Sequence, residues 1–245
     1  MSTLNPILSE RCLKCRYLYP SGSNYLVMNC KQGAGRCTKA GKQPNGTQKF
    51  QCRGCKKYQQ ASYRYTACQA GTNQSIIAHV KEGCGIWNTA RLMGIAKGTV
   101  LSRIKSIAKK IKRPSIEGKD LSYEVDELYS YVGNKADSLY ICYAIESKTR
   151  NVIDFVIGPR TKENLKSVTQ RLLELSPKKI YTDGLNIYPS LIPKGMHQAG
   201  KFGTLRIERS NLNLRTNLKR LARKTICFSK SVVMLEACLK IWYWR

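Results

Sequence analysis

The chain has 245 residues, 42% of them hydrophobic, which allows a packed core and excludes global disorder. It carries 43 Lys and Arg against 15 Asp and Glu, a formal net charge of +28 that would repel itself in a compact state unless a polyanion offsets it. No apolar run approaches the roughly 18 residues that would span a bilayer, and the start "MSTLNPILSERC" lacks the shape of a signal peptide, so nucleic acid is favoured over a membrane and a cytoplasmic location is expected.

The charge is uneven. Residues 1–120 hold 22 Lys/Arg and 4 Asp/Glu, whereas residues 121–245 hold 21 and 11. The first half therefore reads as the part that meets phosphate, and the second as the part where carboxylate or metal chemistry would sit. Eleven cysteines, an odd count without an export signal, point to a reducing compartment and to metal ligands rather than disulfides.

At the N-terminal end, "CLKC" supplies Cys12 and Cys15, and "CRGC" supplies Cys52 and Cys55. A two-residue gap lets one turn present two thiolates to one ion, and two such knuckles complete a tetrahedral Zn²⁺ site, so residues 1–66 are expected to form a zinc ribbon. The connecting stretch also holds Cys30 and Cys37, which leaves the ligand set open. Cys68 and Cys84 lie outside the knuckles and read as unligated.

The texture then turns helical. "QSIIAHVKEG" places Ile76, Ile77 and Val80 on one face with Gly83 as a stop, and "IWNTARLMG" repeats the pattern with Ile86, Ala90, Met93 and Gly94. "IAKGTVLSRIKSIAKKIKR" follows with Val100, Leu101, Ile104 and Ile107 on its apolar side. Short helix, Gly-containing turn and basic helix make a helix-turn-helix over residues 67–113, which would offer Lys97, Thr99, Ser102, Arg103 and Lys105 to a major groove of double-stranded DNA. A plain three-helix bundle with a solvated basic face is the alternative. His79 reads as a helix-face residue. "KKIKRPSIEGKD" (109–120) is polar and broken by Pro and Gly, which places a linker at 114–122.

From residue 123 the pattern is β, then α. "YEVDELYSYV" (123–132), "SLYICYAIES" (138–147) and "NVIDFVIG" (151–158) read as an antiparallel meander. "TKENLKSVTQRLLEL" (161–175) is an amphipathic helix, "KKIYTD" is a fourth strand ending at Asp183, and Thr204–Lys224 is helical with Ile207, Leu214, Leu218 and Leu221 inward. That order matches an RNase H-like α/β fold over residues 123–245. In such a sheet the first and fourth strands are neighbours, so Asp126 and Asp183 can face each other, with Glu208 on a helix beside them. Three clustered carboxylates would repel one another unless divalent cations sit between them, and Mg²⁺ or Mn²⁺ suits such hard oxygen donors. Arg215, two turns after Glu208, shares its side with Asn211 and Lys219 and could hold a DNA phosphate. Alternatively, Glu208 merely pairs with Arg206 or Arg209.

Together, the double Cys-x-x-Cys region, the helix-turn-helix, "YEVDELYSYVGNK", "YTDG" and "RIERSNLNLRTNLKRLARK…FSKS" resemble the IS1 family of insertion-sequence transposases over nearly the whole chain. The resemblance implies a DDE enzyme in which Asp126, Asp183 and Glu208 bind Mg²⁺ and Arg215 is the basic residue beyond the glutamate. It further implies strand cleavage and strand transfer at the terminal inverted repeats of a mobile element, a homo-oligomer on transposon ends and target DNA, and a prokaryotic, nucleoid-associated location. Members often arise by frameshifting between two reading frames, and this chain resembles the fused product. Its end, "LEACLKIWYWR", departs from the family's C-terminal helix. The competing reading is a zinc-dependent DNA-binding regulator that uses residues 1–113 and carries an impaired second half. A third reading is a structure-specific nuclease.

Overall fold

The computed structural model describes residues 28–33, 35–115 and 120–245. Contacts divide it between Tyr63 and Arg64 into two compact units. The first is an antiparallel meander of β1 (Met28–Asn29), β2 (Arg36–Lys42), β3 (Gln48–Cys52) and β4 (Tyr58–Gln60). The β2–β3 turn is built by Asn45, whose side chain accepts from Thr47 N at 3.1 Å, and by Gly46 at φ +78°. Among the described residues of this unit the buried apolar set is Cys37, Phe50 and Cys52, with Met28 and Cys30 packed against it. Cys12 and Cys15 lie outside the described residues.

Three helices open the second unit, α1 (Thr72–Lys81), α2 (Ile86–Met93) and α3 (Lys97–Lys110). Their spacing is the one the apolar pattern dictates. Ile76, Val80, Ala90, Val100, Ile104 and Ile107 are buried, while Ile77, Ile86, Met93 and Leu101 are partly buried against them. Gly94 caps α2 in the left-handed region at φ +62°.

The rest of the unit is a five-stranded mixed sheet with helices on its faces. Strands β5 (Ser122–Val132), β6 (Asn134–Glu146) and β7 (Val152–Gly158) pair antiparallel. After α4 (Lys162–Leu173), β8 (Lys179–Thr182) and β9 (His197–Ala199) add in parallel, giving the order β7-β6-β5-β8-β9. Thr161 caps α4 by accepting from Asn164 N. The edge strand β9 escapes the sequence pattern, because three residues are too few to show alternation.

Helix α5 (Leu205–Asn217) ends earlier than the expected Thr204–Lys224. Leu218 is extended at φ −92° and ψ 91°, and Lys219–Leu221 forms a 3₁₀ turn. Leu214, Leu218 and Leu221 are buried all the same, so apolar spacing could not register the break. What abuts the end of α5 is the α1–α2 turn. Gly83 sits at φ +69°, and a Cβ there would collide with the Asn217 carbonyl oxygen.

Helix α6 (Val232–Trp244) closes the chain, with Ser231 accepting from Met234 N as its cap. It has two buried sides. Met234, Ala237, Cys238 and Ile241 join the core of α1–α3, while Leu235 and Leu239 join the sheet. The Trp244 indole donates to Val152 O at 2.9 Å, and the Tyr243 ring stacks on Tyr143 at 5.6 Å. The terminal stretch "LEACLKIWYWR", expected from the sequence to be altered, is packed in a formed helix. Among the described residues no helix is long and apolar enough to cross a membrane.

Candidate active site and metal centres

Alternation along β5 sends Glu124 and Asp126 toward α5, and Tyr123 and Val125 toward α4. The parallel register pairs Val125 with Thr182, so Asp183 emerges beside Asp126 where β8 ends. β5 pairs with β8 only over Ser122–Val125. Past that point the gap between the strands is open, at the carboxyl end of a parallel strand where strand order reverses. One carboxylate oxygen each from Asp126, Glu127 and Asp183 lies there within 4.8 Å of the others.

Each of these groups is held in place. Asp126 Oδ1 accepts from Glu127 N at 2.7 Å, and its Oδ2 accepts from Asn211 Nδ2 on α5 at 2.7 Å. The Asn211 amide is in turn fixed by the buried Tyr143 hydroxyl, which donates to its Oδ1 at 2.9 Å. Asp183 Oδ1 accepts from Leu185 N at 3.1 Å. Burial pushes the Asp126 carboxyl up to about 6, and the charges of Glu127 and Asp183 push the same way, against the lowering effect of the Glu127 N–H. Hard oxygen donors gathered with this much like charge suit a divalent cation such as Mg²⁺ or Mn²⁺.

Glu208 does not join this group. It is exposed on the first turn of α5 and accepts from Thr204 Oγ1 at 3.3 Å; Asn211, one turn on, is the residue that touches Asp126. The guanidinium of Arg215 donates to the carbonyls of Leu221 at 3.1 Å and Tyr129 at 3.3 Å, which ties α5 to β5. Sequence reasoning missed Glu127, although its signal was available. Three of the chain's 15 acids, Glu124, Asp126 and Glu127, fall within four residues of one strand.

Glu124 is the third of these and is fully buried. It accepts from Arg206 N at 3.1 Å, Ile207 N at 3.0 Å and the Arg206 guanidinium at 3.2 Å, so a strand carboxylate caps the first turn of α5. Glu124→Ala leaves those donors without their acceptor. Stability is expected to fall by roughly 2–4 kcal/mol in urea unfolding. A loss under about 0.5 kcal/mol, the scale of an ordinary surface change, would show that α5 does not depend on this cap.

A second cluster lies in the N-terminal unit. The sulfurs of Cys30, Cys37 and Cys52 are within 4.8 Å of one another, and Cys55 Sγ is 3.6 Å from Cys30 Sγ. Cys37 and Cys52 are direct partners across β2 and β3. Backbone N–H groups point at the sulfurs, from Gln32 to Cys30 at 3.4 Å and from Cys55 to Cys52 at 3.5 Å. The Cys55 N–H holds the Cys52 thiol down to about 7, whereas burial raises Cys37. Gly35 leaves room for the loop to close, since a Cβ there would lie 2.7 Å from Cys52 Sγ. Three mutually close sulfurs, with Cys55 beside Cys30, fit zinc. The structure thus brings Cys52 and Cys55 together with Cys30 and Cys37; Cys68 and Cys84 are in neither cluster among the described residues.

On α3, Lys97, Ser102 and Lys105 are exposed, and Lys97 Nζ rests over the Trp87 ring at 4.5 Å. Thr99 and Arg103 are half-buried. Thr99 Oγ1 meets the Tyr65 hydroxyl at 3.4 Å, and Arg103 donates to Ala67 O at 2.8 Å and Asn73 Oδ1 at 3.4 Å.

Known proteins resemble both parts of the second unit. A family model described as IS1 transposase matches residues 121–243, and one described as InsA C-terminal domain matches residues 63–107. The InsB protein of insertion element iso-IS1n from Shigella dysenteriae is 44% identical over 113 residues, 46% of this chain and 86% of that protein. The IS1 InsB protein of Shigella sonnei is 40% identical over 109 residues, 44% of this chain and 83% of its own length. InsB of IS1 9 from Escherichia coli K12 is 40% identical over 109 residues, 44% of this chain and 65% of its own length. Because the first match takes in every strand of the mixed sheet and the carboxylates at its open centre, the chain belongs to the IS1 transposase family.

Proposed function

We propose that this protein is a Mg²⁺-dependent DNA transposase that binds the terminal inverted repeats of its element, cuts there and joins the freed 3′ end to target DNA. The observation that carries this reading is the parallel β5–β8 register, which leaves Asp126 and Asp183 side by side in the gap beneath α5. Mg²⁺ bound there would activate the attacking oxygen and stabilise the leaving one. Asp126 and Asp183 would hold it, and Asn211 fixes the orientation of Asp126; Glu208, exposed one turn before Asn211 and outside the cluster, would have to swing inward to add a third carboxylate. Chemistry of this kind needs no covalent protein–DNA intermediate. Cys30, Cys37, Cys52 and Cys55 hold Zn²⁺ and shape a DNA-facing ribbon. In the helix-turn-helix, Lys97, Ser102 and Lys105 face the major groove, while Thr99 and Arg103 brace the helix that carries them. Two ends must meet, so the working form is a homo-oligomer on DNA in the prokaryotic cytoplasm.

The test is to incubate purified protein with a labelled repeat end, a plasmid and Mg²⁺. Label joined covalently to the plasmid is the expected result. Binding without joining would select the regulator reading, which draws support from Glu208 lying outside the carboxylate cluster. Cutting without joining and without dependence on the repeat would select a nuclease.

A further inference from the structure

Three carboxylates packed this closely repel one another, and the fold supplies a counter-charge from a distant turn. Arg160, between β7 and α4, donates from Nη2 at 2.7 Å and from Nε at 3.2 Å to Glu127 Oε2. The same Nη2 lies 3.6 Å from Asp183 Oδ2. The other oxygen of Glu127 accepts from the Tyr188 hydroxyl, and the Glu127 side chain is 1% exposed. The guanidinium itself lies over the Tyr140 ring at 5.6 Å.

The three acids differ in how their oxygens are hydrogen-bonded. Both Glu127 oxygens are engaged by fixed donors, so this residue anchors Arg160. Asp126 and Asp183 face the gap with donors on their inner sides, and Asp183 is 40% exposed. We propose that Arg160 is a positioning residue for the metal site. It acts as an internal cation, seated on Glu127 and Tyr188, that holds Asp183 toward Asp126 and gives Asp183 up when a divalent ion binds. This rests on the metal-dependent reading above. The physical consequence is a competition. Arg160 stabilises the metal-free site and, as a positive charge beside the ion, weakens its binding.

The test uses zinc-loaded, full-length protein, with free Mn²⁺ followed by electron paramagnetic resonance and the thermal midpoint recorded with and without Mn²⁺. Arg160→Gln is expected to bind Mn²⁺ about tenfold more tightly than wild type, on the scale of one unit charge removed at close range. Its midpoint should be several degrees lower without Mn²⁺, and saturating Mn²⁺ should restore most of the difference. Should Arg160→Gln fold poorly, Arg160→Lys retains the charge but not the fork; its metal-free midpoint is then expected to fall while its Mn²⁺ affinity stays within about threefold of wild type. Equal or weaker Mn²⁺ binding by Arg160→Gln, with Asp183→Asn abolishing binding, overturns the role of Arg160 and leaves the metal site standing. If wild type binds no Mn²⁺ at this site, both readings fall.

Discussion

On the proposed mechanism, Asp183→Asn is expected to lower Mg²⁺-dependent cleavage of a repeat end by at least about a thousandfold, the scale on which a lost metal ligand or transition-state contact acts. Binding of that end is expected to stay within about threefold of wild type, because phosphate and groove contacts belong to other residues. The variant should also fold. Asn keeps the oxygen that accepts from Leu185 N, and it removes one of three like charges packed within 4.8 Å. Gel shifts and a cleavage assay on the same preparation check both halves. Undiminished cleavage would take Asp183 out of the mechanism, and lost binding would show that the variant reports on folding rather than chemistry.

Stripping zinc should have the next largest effect, and it should be confined to one unit. Among the described residues of the N-terminal unit the buried apolar set is Cys37, Phe50 and Cys52, too little by itself to offset the entropy of ordering the strands that carry it. Structural zinc sites contribute roughly 10–16 kcal/mol to folding at neutral pH, so the ribbon is expected to melt with chelator while residues 64–245 remain folded on their own cores. Metal analysis should find one zinc per chain in wild type and less than a tenth of that in Cys37→Ser. Cys12→Ser and Cys68→Ser should keep the metal. Zinc loss in Cys12→Ser would restore the Cys12, Cys15, Cys52, Cys55 set expected from knuckle spacing alone. Limited proteolysis with and without chelator locates the melted segment.

Long periodic elements were plain in the residue pattern. The three helices, the β5–β7 meander, α4 and the strand before Asp183 all stand where alternation or helical spacing put them, since burying one apolar face stabilises each of them more than any other interaction. Short or interrupted elements were not. Strand β9 is three residues long, and the break after Asn217 preserves the same buried leucines as an unbroken helix would. Strand and helix pattern singled out Asp126, Asp183 and Glu208, and the family resemblance gave them their roles, but neither could say how their side chains meet.

Residue order and chemistry determined which elements form, how they alternate around the sheet, and that Asp126 and Asp183 sit on adjacent strands. Tertiary structure alone decided the company they keep. Glu127 should point away from its neighbour in a regular strand, yet it reaches the same gap because β8 stops and leaves the space open. Arg160 and Tyr188 arrive there from separate turns, and Cys30 and Cys37 meet Cys52 only because a meander folds them together. Local pattern encodes burial along one segment; convergence of charges and thiols from distant segments depends on register and on where strands end.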